Sequence, residues 1–325
     1  MRLITLDDFK DTLLKGKQRG WDFILSKFTF QNNARTKSAF NSSAVISANW
    51  WEIPYVKKRW NKMMTNDEHQ NYKQYLMETV LKDHSNLKLL SLGSGTCSHE
   101  LELAQYKQFE AITCVDLSEY RISQAEKKAA QNNLQNISFV CSNIDNFSFK
   151  EDHYDVVLFN ASLHHFRHVD TLLSEKIVPC LTSSGLLVIN EYVGPNRLQF
   201  PKAQIQKINK GIQLLPKKFR RRYKSSLYKN SFSGSGLLRM IIADPSECVD
   251  SSSIMPSINK HFKVIIEKPY GGNILMNALK DISHHFIDLD DEKTKALDAI
   301  FEFEDEYLKH NPSDFVFGVY RKPEH

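Results

Sequence analysis

Apolar positions through the middle of the chain come in short bursts separated by polar and turn residues. Residues 87–92, 111–116, 137–141, 154–160 and 185–191 are each dominated by apolar side chains, the pattern of strands buried on both faces. Between the bursts the spacing becomes helical. Ser118 is a good N-cap, and after it Ile122, Ala125 and Ala129 fall on one helical face. Residues 169–181 also read as a helix, distorted near Pro179. Repeated strand–helix units predict a parallel sheet with right-handed crossovers.

After Glu191 the rhythm changes. Pro201 opens a helix whose face carries Ile205, Ile208 and Ile212 and which ends before Pro216. A basic stretch, 217–224, follows and reads first as a solvated helix face; a Ser/Gly-rich loop, 231–236, comes next. Strand patterns return at 262–268 and 315–321. Between them Leu275, Leu279, Ile282 and Phe286 share one helical face, and Leu297, Ile300, Phe301 and Leu308 another. The first 84 residues read as helical, with aromatic segments at Asn49-Trp50-Trp51 and Arg59-Trp60-Asn61. The chain therefore divides into a helical segment or lid (1–84), an α/β core (85–195), a helical insertion (196–261), and two last strands (262–325) interrupted by helices at 273–311. The helical pieces are expected to gather as a cap on one edge of the sheet.

Composition narrows the class. A chain of 325 residues with 41% hydrophobic content can bury one large core, or a core plus a subdomain. The net charge of +5 permits an anionic substrate and does not point to nucleic acid. The five cysteines are scattered without a CxxC pair, which suggests neither a zinc framework nor a disulfide framework. The N-terminus lacks the apolar stretch of a signal peptide, and no apolar run approaches the ~20 residues needed to span a bilayer. A soluble cytoplasmic protein is the expectation; the sequence is silent on oligomeric state.

The most informative segment is LSLGSGTCS at 90–98, a buried strand running into a Gly-x-Gly turn and then a helix. Glycines are needed where backbone approaches a ligand closely or φ is positive. Asp116 ends the next strand 21 residues after Gly95, where a carboxylate accepts hydrogen bonds from the hydroxyls of a ribose; the alternative is a helix cap, a role Ser118 already fills. The third strand ends at Asn143-Ile144, and the fourth runs into Asn160-Ala161-Ser162-Leu163-His164-His165. All these strand ends lie on one edge of the sheet, where doubly wound folds bind ligands.

Taken together, LSLGSGTCS, VDLS, CSNIDNF, YDVVLFNASLHHF and GLLVINEYVGP resemble the successive motifs of class I S-adenosylmethionine-dependent methyltransferases, over roughly residues 71–195 plus the last two strands. The resemblance implies a Rossmann-like seven-stranded methyltransferase sheet with an additional helical cap. It implies S-adenosylmethionine as cofactor and S-adenosylhomocysteine as product. Gly93, Ser94 and Gly95 would face the methionine part, Asp116 the ribose, Leu117 the adenine face, Asn143 with Ile144 the adenine edge, and Asn160 the methionine end. Two positions depart from the pattern: Ser98 stands for the third glycine and Asn143 for the usual Asp. NWW, RWN, NEYVGP, ADPSE (243–247) and PYGGNIL (269–275) resemble a bacterial branch of small-molecule and sugar-modifying members.

Methyl transfer needs an aligned acceptor and, for a hydroxyl, removal of a proton. His164 and His165 follow the fourth strand and are candidate bases, or a cap and a core residue. With His168 they spell His-His-x-x-His, but no carboxylate stands beside them in the sequence, so no metal is expected. Glu191 and Tyr192 end the fifth strand and either orient a histidine or face solvent. Trp51 and Arg59, with Trp50 and Trp60, are core, or a lid in which Arg59 binds a carboxylate. Tyr270 either meets substrate or ends a turn. The reading is methyl transfer to a small-molecule acceptor, oxygen first, then nitrogen or carbon, with no nucleic-acid partner. Its alternatives are a non-catalytic S-adenosylmethionine-binding protein and a nicotinamide-dependent oxidoreductase. Against the oxidoreductase, Gly-x-Gly-x-x-Ser lacks the third glycine and no Tyr-x-x-x-Lys follows the fifth strand.

Overall fold

Seven strands form one sheet in the order β3-β2-β1-β4-β5-β7-β6. The computed structural model describes residues 1–10, 12 and 49–323. β1 (Leu87–Leu92), β2 (Phe109–Asp116), β3 (Ile137–Cys141), β4 (Tyr154–Asn160) and β5 (Leu181–Tyr192) run parallel, while β7 (Phe315–Arg321) is antiparallel to both β5 and β6 (Lys263–Gly271). This is the Rossmann-like α/β sheet that the alternating pattern predicts. Central strands β1 and β4 are buried along nearly their whole length, which their continuous apolar runs require; edge strands β3 and β6 are largely half-buried or exposed.

Successive residues alternate between two cores. Leu89, Val156, Leu158 and Val188 face one side, with Leu76, Met77, Leu101 and Ile122 from the helices above them. Leu90, Val157, Phe159 and Leu187 face the other, against Leu173, Ile177, Ile254 and Ile258. A third cluster stands apart from the sheet faces. It joins Trp50, Ile53 and Val56 to Ile208 and Ile212 of the helix Lys202–Leu214 and to Ile274, Leu279, Phe286, Leu297 and Ile300. The helical additions therefore share a core of their own.

Strand register shows where that body sits. Tyr192 and Gly271 both pair with Phe315, so β5 and β6 end, and β7 begins, at one edge. The connection 272–314 leaves and returns at that edge, where the other parallel strands also end. Residues 2–8 reach the same body: the Thr5 hydroxyl donates to the Gly234 carbonyl, and Asp8 pairs with Arg239 at 2.7 Å. The part of the expected N-terminal helical segment at 13–48 lies outside the described residues.

One local expectation differs from the structure and another is met. The basic stretch is not one helix face: Lys217–Arg220 is a short 3-10 turn, and although Lys217, Lys218, Arg221 and Lys224 are exposed, Arg222 is buried against Asp281 at 2.7 Å. The helix after β4 is distorted near Pro179, widening to a π-turn at Leu173–Ile177. Among the described residues no helix is long and apolar enough to cross a membrane.

The helical body carries an ionisable link to the sheet. Buried Asp314 accepts from Gln204 Nε2 at 2.7 Å, and its backbone N–H donates to Asn273 Oδ1. Burial, outweighing the Gln204 bond, pushes its carboxyl up to about 7. A carboxyl raised in the folded state favours folding when protonated, so that advantage is lost as pH rises from the unfolded value of ~3.9 through about 7. Asp314→Asn should remove this slope: relative to the unaltered chain, the variant gains up to a few kcal/mol between pH 5 and pH 8 in urea unfolding. Parallel stability curves for the two proteins over that range would contradict it.

Candidate functional site at the strand ends

The turn after β1 is built for close approach. Gly93 has φ +68°, and a Cβ there would stand 2.8 Å from Ser162 Cβ. Gly95 has φ +60°, and its N–H donates to Asp116 Oδ2 at 2.8 Å. Asp116 Oδ1 accepts from the Ser118 N–H at 2.8 Å. Two backbone donors thus fix the buried carboxylate, while an ionised carboxylate has about four acceptor positions, leaving acceptor capacity for a ligand.

In front of these groups lies a cavity of about 630 Å³, of a size that takes a nucleoside-sized ligand and more. Gly93, Asp116, Leu117, Asn143 and Ile144 line it, with Ala161, Ser162, His165, Pro245 and Ser246. Asn143 Oδ1 caps the short turn after β3 by accepting from the Asp145 N–H, which leaves its amide N–H₂ to donate. Asp145 adds a carboxylate to that wall.

The far wall is the most polar buried part of the site. Glu191 Oε2 accepts from the backbone N–H groups of Ser162 and Leu163, both at 3.0 Å, and its Oε1 meets His164 Nδ1 at 2.8 Å. His165 Nδ1 lies 3.0 Å from Ser246 Oγ, which donates to Asp244 Oδ1. Glu247 closes the group, 4.0 Å from His164 Nε2 and 3.8 Å from His165 Nε2. Burial opposes charge on His164, but the Glu191 carboxylate outweighs it and lifts the imidazole to about 9. Burial, with His164 alongside, pushes His165 down to about 4. Burial also works against the Glu247 carboxylate, yet the two imidazoles hold it below its usual range.

Other candidates sit elsewhere. Asn160 Oδ1 accepts from Tyr72 Oη at 3.1 Å and Asn190 Nδ2 at 2.8 Å, and Tyr270 Oη donates to Asn190 Oδ1. Asn160 and Tyr270 thus belong to one buried polar chain across β4, β5 and β6, and neither lines the cavity. Tyr192 is buried, its hydroxyl donating to the Pro195 carbonyl. Arg59 is held by Glu304 and Asp305 at 3.2 and 2.8 Å, so its charge is met within the chain. Trp51 is half-exposed and outside the cavity; Trp50, beside it, is core.

Asp244, Ser246 and Glu247 carry no assigned role in the sequence reading. Their motif is visible, but Glu247 stands 82 residues beyond His165, and spacing of that length carries no geometric information. The fold supplies the carboxylate that the histidine motif lacks locally.

The sequence profile of a methyltransferase domain family matches residues 83–236. A malonyl-[acyl-carrier protein] O-methyltransferase of Bacillus cereus is 23% identical over 145 residues, covering 42% of this chain and 52% of that protein. Its counterpart in Priestia megaterium is 26% identical over 144 residues, with 42% and 51% covered. The chain thus spans about half the length of the curated relatives it matches. Among solved structures, geranyl diphosphate C-methyltransferase of Streptomyces coelicolor, in complex with Mg²⁺, geranyl-S-thiolodiphosphate and S-adenosylhomocysteine, aligns at a TM-score of 0.48. Identity is 12%, with 77% of this chain and 75% of that one covered.

Glu191 has no exposed side-chain surface and satisfies three donors. Glu191→Ala strands all three and should cost roughly 3–5 kcal/mol, the usual range for breaking a buried charged pair. Glu191→Gln keeps one acceptor oxygen and should cost less. Urea unfolding measures both; a loss below about 1 kcal/mol for the alanine variant would show that the turn after β4 is held by other contacts.

Proposed function

We propose that this chain, whose residues 83–236 match a methyltransferase domain family, is a class I S-adenosylmethionine-dependent methyltransferase that transfers a methyl group to a small-molecule acceptor, with oxygen the first candidate atom. The observation that carries this reading is the strand-end cavity, which has Asp116 and Gly93 at one wall and His165 at the other. The glycine turn, whose close approach to Ser162 leaves no room for a side chain, and the acceptor capacity on Asp116 fit the cofactor. When bound, the cofactor supplies an electrophilic methyl group on a sulfonium.

The protein's own groups then have distinct tasks. Asp116 holds the ribose hydroxyls, Leu117 and Ile144 enclose the adenine, and Asn143 donates to its edge. Gly93, Ser94 and Gly95 present backbone to the methionine part, while Asn160, whose Oδ1 is held by Tyr72 and Asn190, supports the strand end behind it. The acceptor occupies the cavity toward His165, and the His164–His165 pair activates its oxygen. Glu191 orients that pair by fixing His164 through Nδ1. Tyr192, its ring 6.3 Å from that of His164, packs behind it. Residues 1–10 and the segments 196–255 and 273–311 form the cap that excludes water, which raises the weight of each polar contact inside.

Two measurements test the assignment. Asp116→Ala should weaken S-adenosylhomocysteine binding by roughly 1.5–3 kcal/mol, the loss of charge-assisted hydrogen bonds. Calorimetry showing no affinity in the unaltered chain, or equal affinity in the variant, would remove the site. With an acceptor in hand, His165→Ala should lower turnover by about 10²–10⁴-fold, the range for losing a group that activates the nucleophile, with cofactor affinity unchanged. Unaltered turnover at saturating acceptor would place activation elsewhere.

A further inference from the structure

We infer that His164, His165 and Glu247 form a site for a divalent transition-metal cation. One donor atom from each residue lies within 4.8 Å of the other two. Glu247 spans the pair, with one oxygen 4.0 Å from His164 Nε2 and the other 3.8 Å from His165 Nε2. Donors sharing a first-row cation at ~2.0–2.2 Å are separated by roughly 3–3.5 Å. The observed spacings exceed that by about half an ångström at Glu247 and by no more than about 1.5 Å at the widest pair, a closure that rotation of the three side chains supplies.

The surroundings of the three residues favour this more than the spacing alone. Each imidazole is anchored through Nδ1, so that Nε2 is the nitrogen turned to Glu247. His164 Nδ1 meets the buried Glu191 carboxylate at 2.8 Å, and His165 Nδ1 meets Ser246 Oγ at 3.0 Å. Ser246 Oγ in turn donates to Asp244 Oδ1 at 2.6 Å, so it accepts from the His165 N–H. A carboxylate or hydroxyl on the distal nitrogen is how metal-binding histidines are oriented, because it fixes the tautomer and raises the basicity of the other nitrogen. Two such nitrogens and a carboxylate therefore converge, with His164 buried and His165 and Glu247 half-buried.

The frame holding them is rigid. The histidines sit in the short turn Leu163–His165, pinned to β5 by Glu191. The segment bearing Glu247 is tied by Arg197, which donates to the Pro245 and Glu247 carbonyls at 2.7 and 3.0 Å, and by the Val249 N–H to the His164 carbonyl at 3.1 Å. Mixed imidazole and carboxylate donors suit manganese, iron, cobalt, nickel and zinc rather than magnesium or calcium. Of the three ligands His165 lines the strand-end cavity, with Pro245 and Ser246 beside it, so a cation held here would reach the cavity on the His165 side. Resting on the methyl-transfer reading, the cation there holds the acceptor oxygen and lowers its proton affinity, which is how the histidine pair activates it.

The test uses the full chain, stripped of metal by a chelator and titrated at several pH values from about 7 to about 9.5, because a cation must displace the proton from any imidazole that ligates it. Zn²⁺ alone is followed by calorimetry and Co²⁺ alone by visible absorption. One tight equivalent is expected, with the absorption of Co²⁺ bound to nitrogen. Glu247→Gln and His165→Ala should lose that equivalent while S-adenosylhomocysteine affinity stays as in the unaltered chain and circular dichroism shows both variants folded at the titration temperature. Ser246→Ala, which touches no cation directly, should weaken it by about 10–100-fold. No tight equivalent in the unaltered chain, or equal affinity in Glu247→Gln and His165→Ala, overturns the inference. Histidine-dependent turnover in protein that binds no metal also overturns it and leaves the methyl-transfer reading standing. A tight site in protein that binds no S-adenosylhomocysteine does the reverse.

Discussion

A single buried carboxylate holds the chemical edge of this molecule in shape. Glu191, at the end of β5, satisfies the two backbone donors that open the turn after β4 and the first imidazole beyond them. A carboxylate with no exposed surface is tolerated only because all its partners are donors in good geometry. The turn can then leave β4 sharply, place Ser162 against Gly93, and set His165 on the cavity wall. Were the turn free, the glycine loop would lose its opposing surface and the two walls of the site would move independently.

From that constraint the rest of the edge follows. β4 and β5 are neighbours at the middle of the sheet, so a contact between their ends couples the most buried strands to the most functional loops. The segment 244–249 docks on the same turn through the Val249 N–H and is braced from behind by Arg197, which brings a carboxylate from the helical body to the histidines. Sheet and cap thus meet at a cluster of charges here, beside the aromatic seam in which Trp50 and Trp60 pack on Phe315 and Tyr270. Such a junction is specific in position and needs each partner in place, since an unpaired buried charge is costly.

How much of this was legible in the sequence depended on range. Strands showed because burial on both faces forces continuous apolar runs, and the limits of β1, β3, β4 and β7 agree with the runs. Helix faces showed for the same reason, as in Ile205, Ile208 and Ile212. The glycine turn and Asp116 were readable because their relation is local: one strand, one turn and one crossover separate them. Spacing did not reveal the tie between His165 and Glu247, nor that Arg59 finds its carboxylates on a helix some 245 residues later. The basic stretch misled for a related reason: Asp281, which buries Arg222, is 59 residues away. Periodicity reports what an element does with its own face; it is blind to which distant side chain meets it.

The route of the chain through its last two strands has a consequence for variation. Gly271 and Phe315 are cross-strand partners, so the 43 residues between them, 272–314, are topologically the loop of a hairpin, however much helix they contain. Closing a longer hairpin loop costs little, about 0.6 kcal/mol for each doubling of length. The register of β6 against β7 is set by the sheet, and the loop's ends are fixed whatever lies between. This part of the cap can therefore be lengthened, shortened or exchanged without disturbing the strands that carry Gly93, Asp116 and Glu191. Chains of this architecture have a physical route by which the enclosure can diverge while the strand-end edge stays constant.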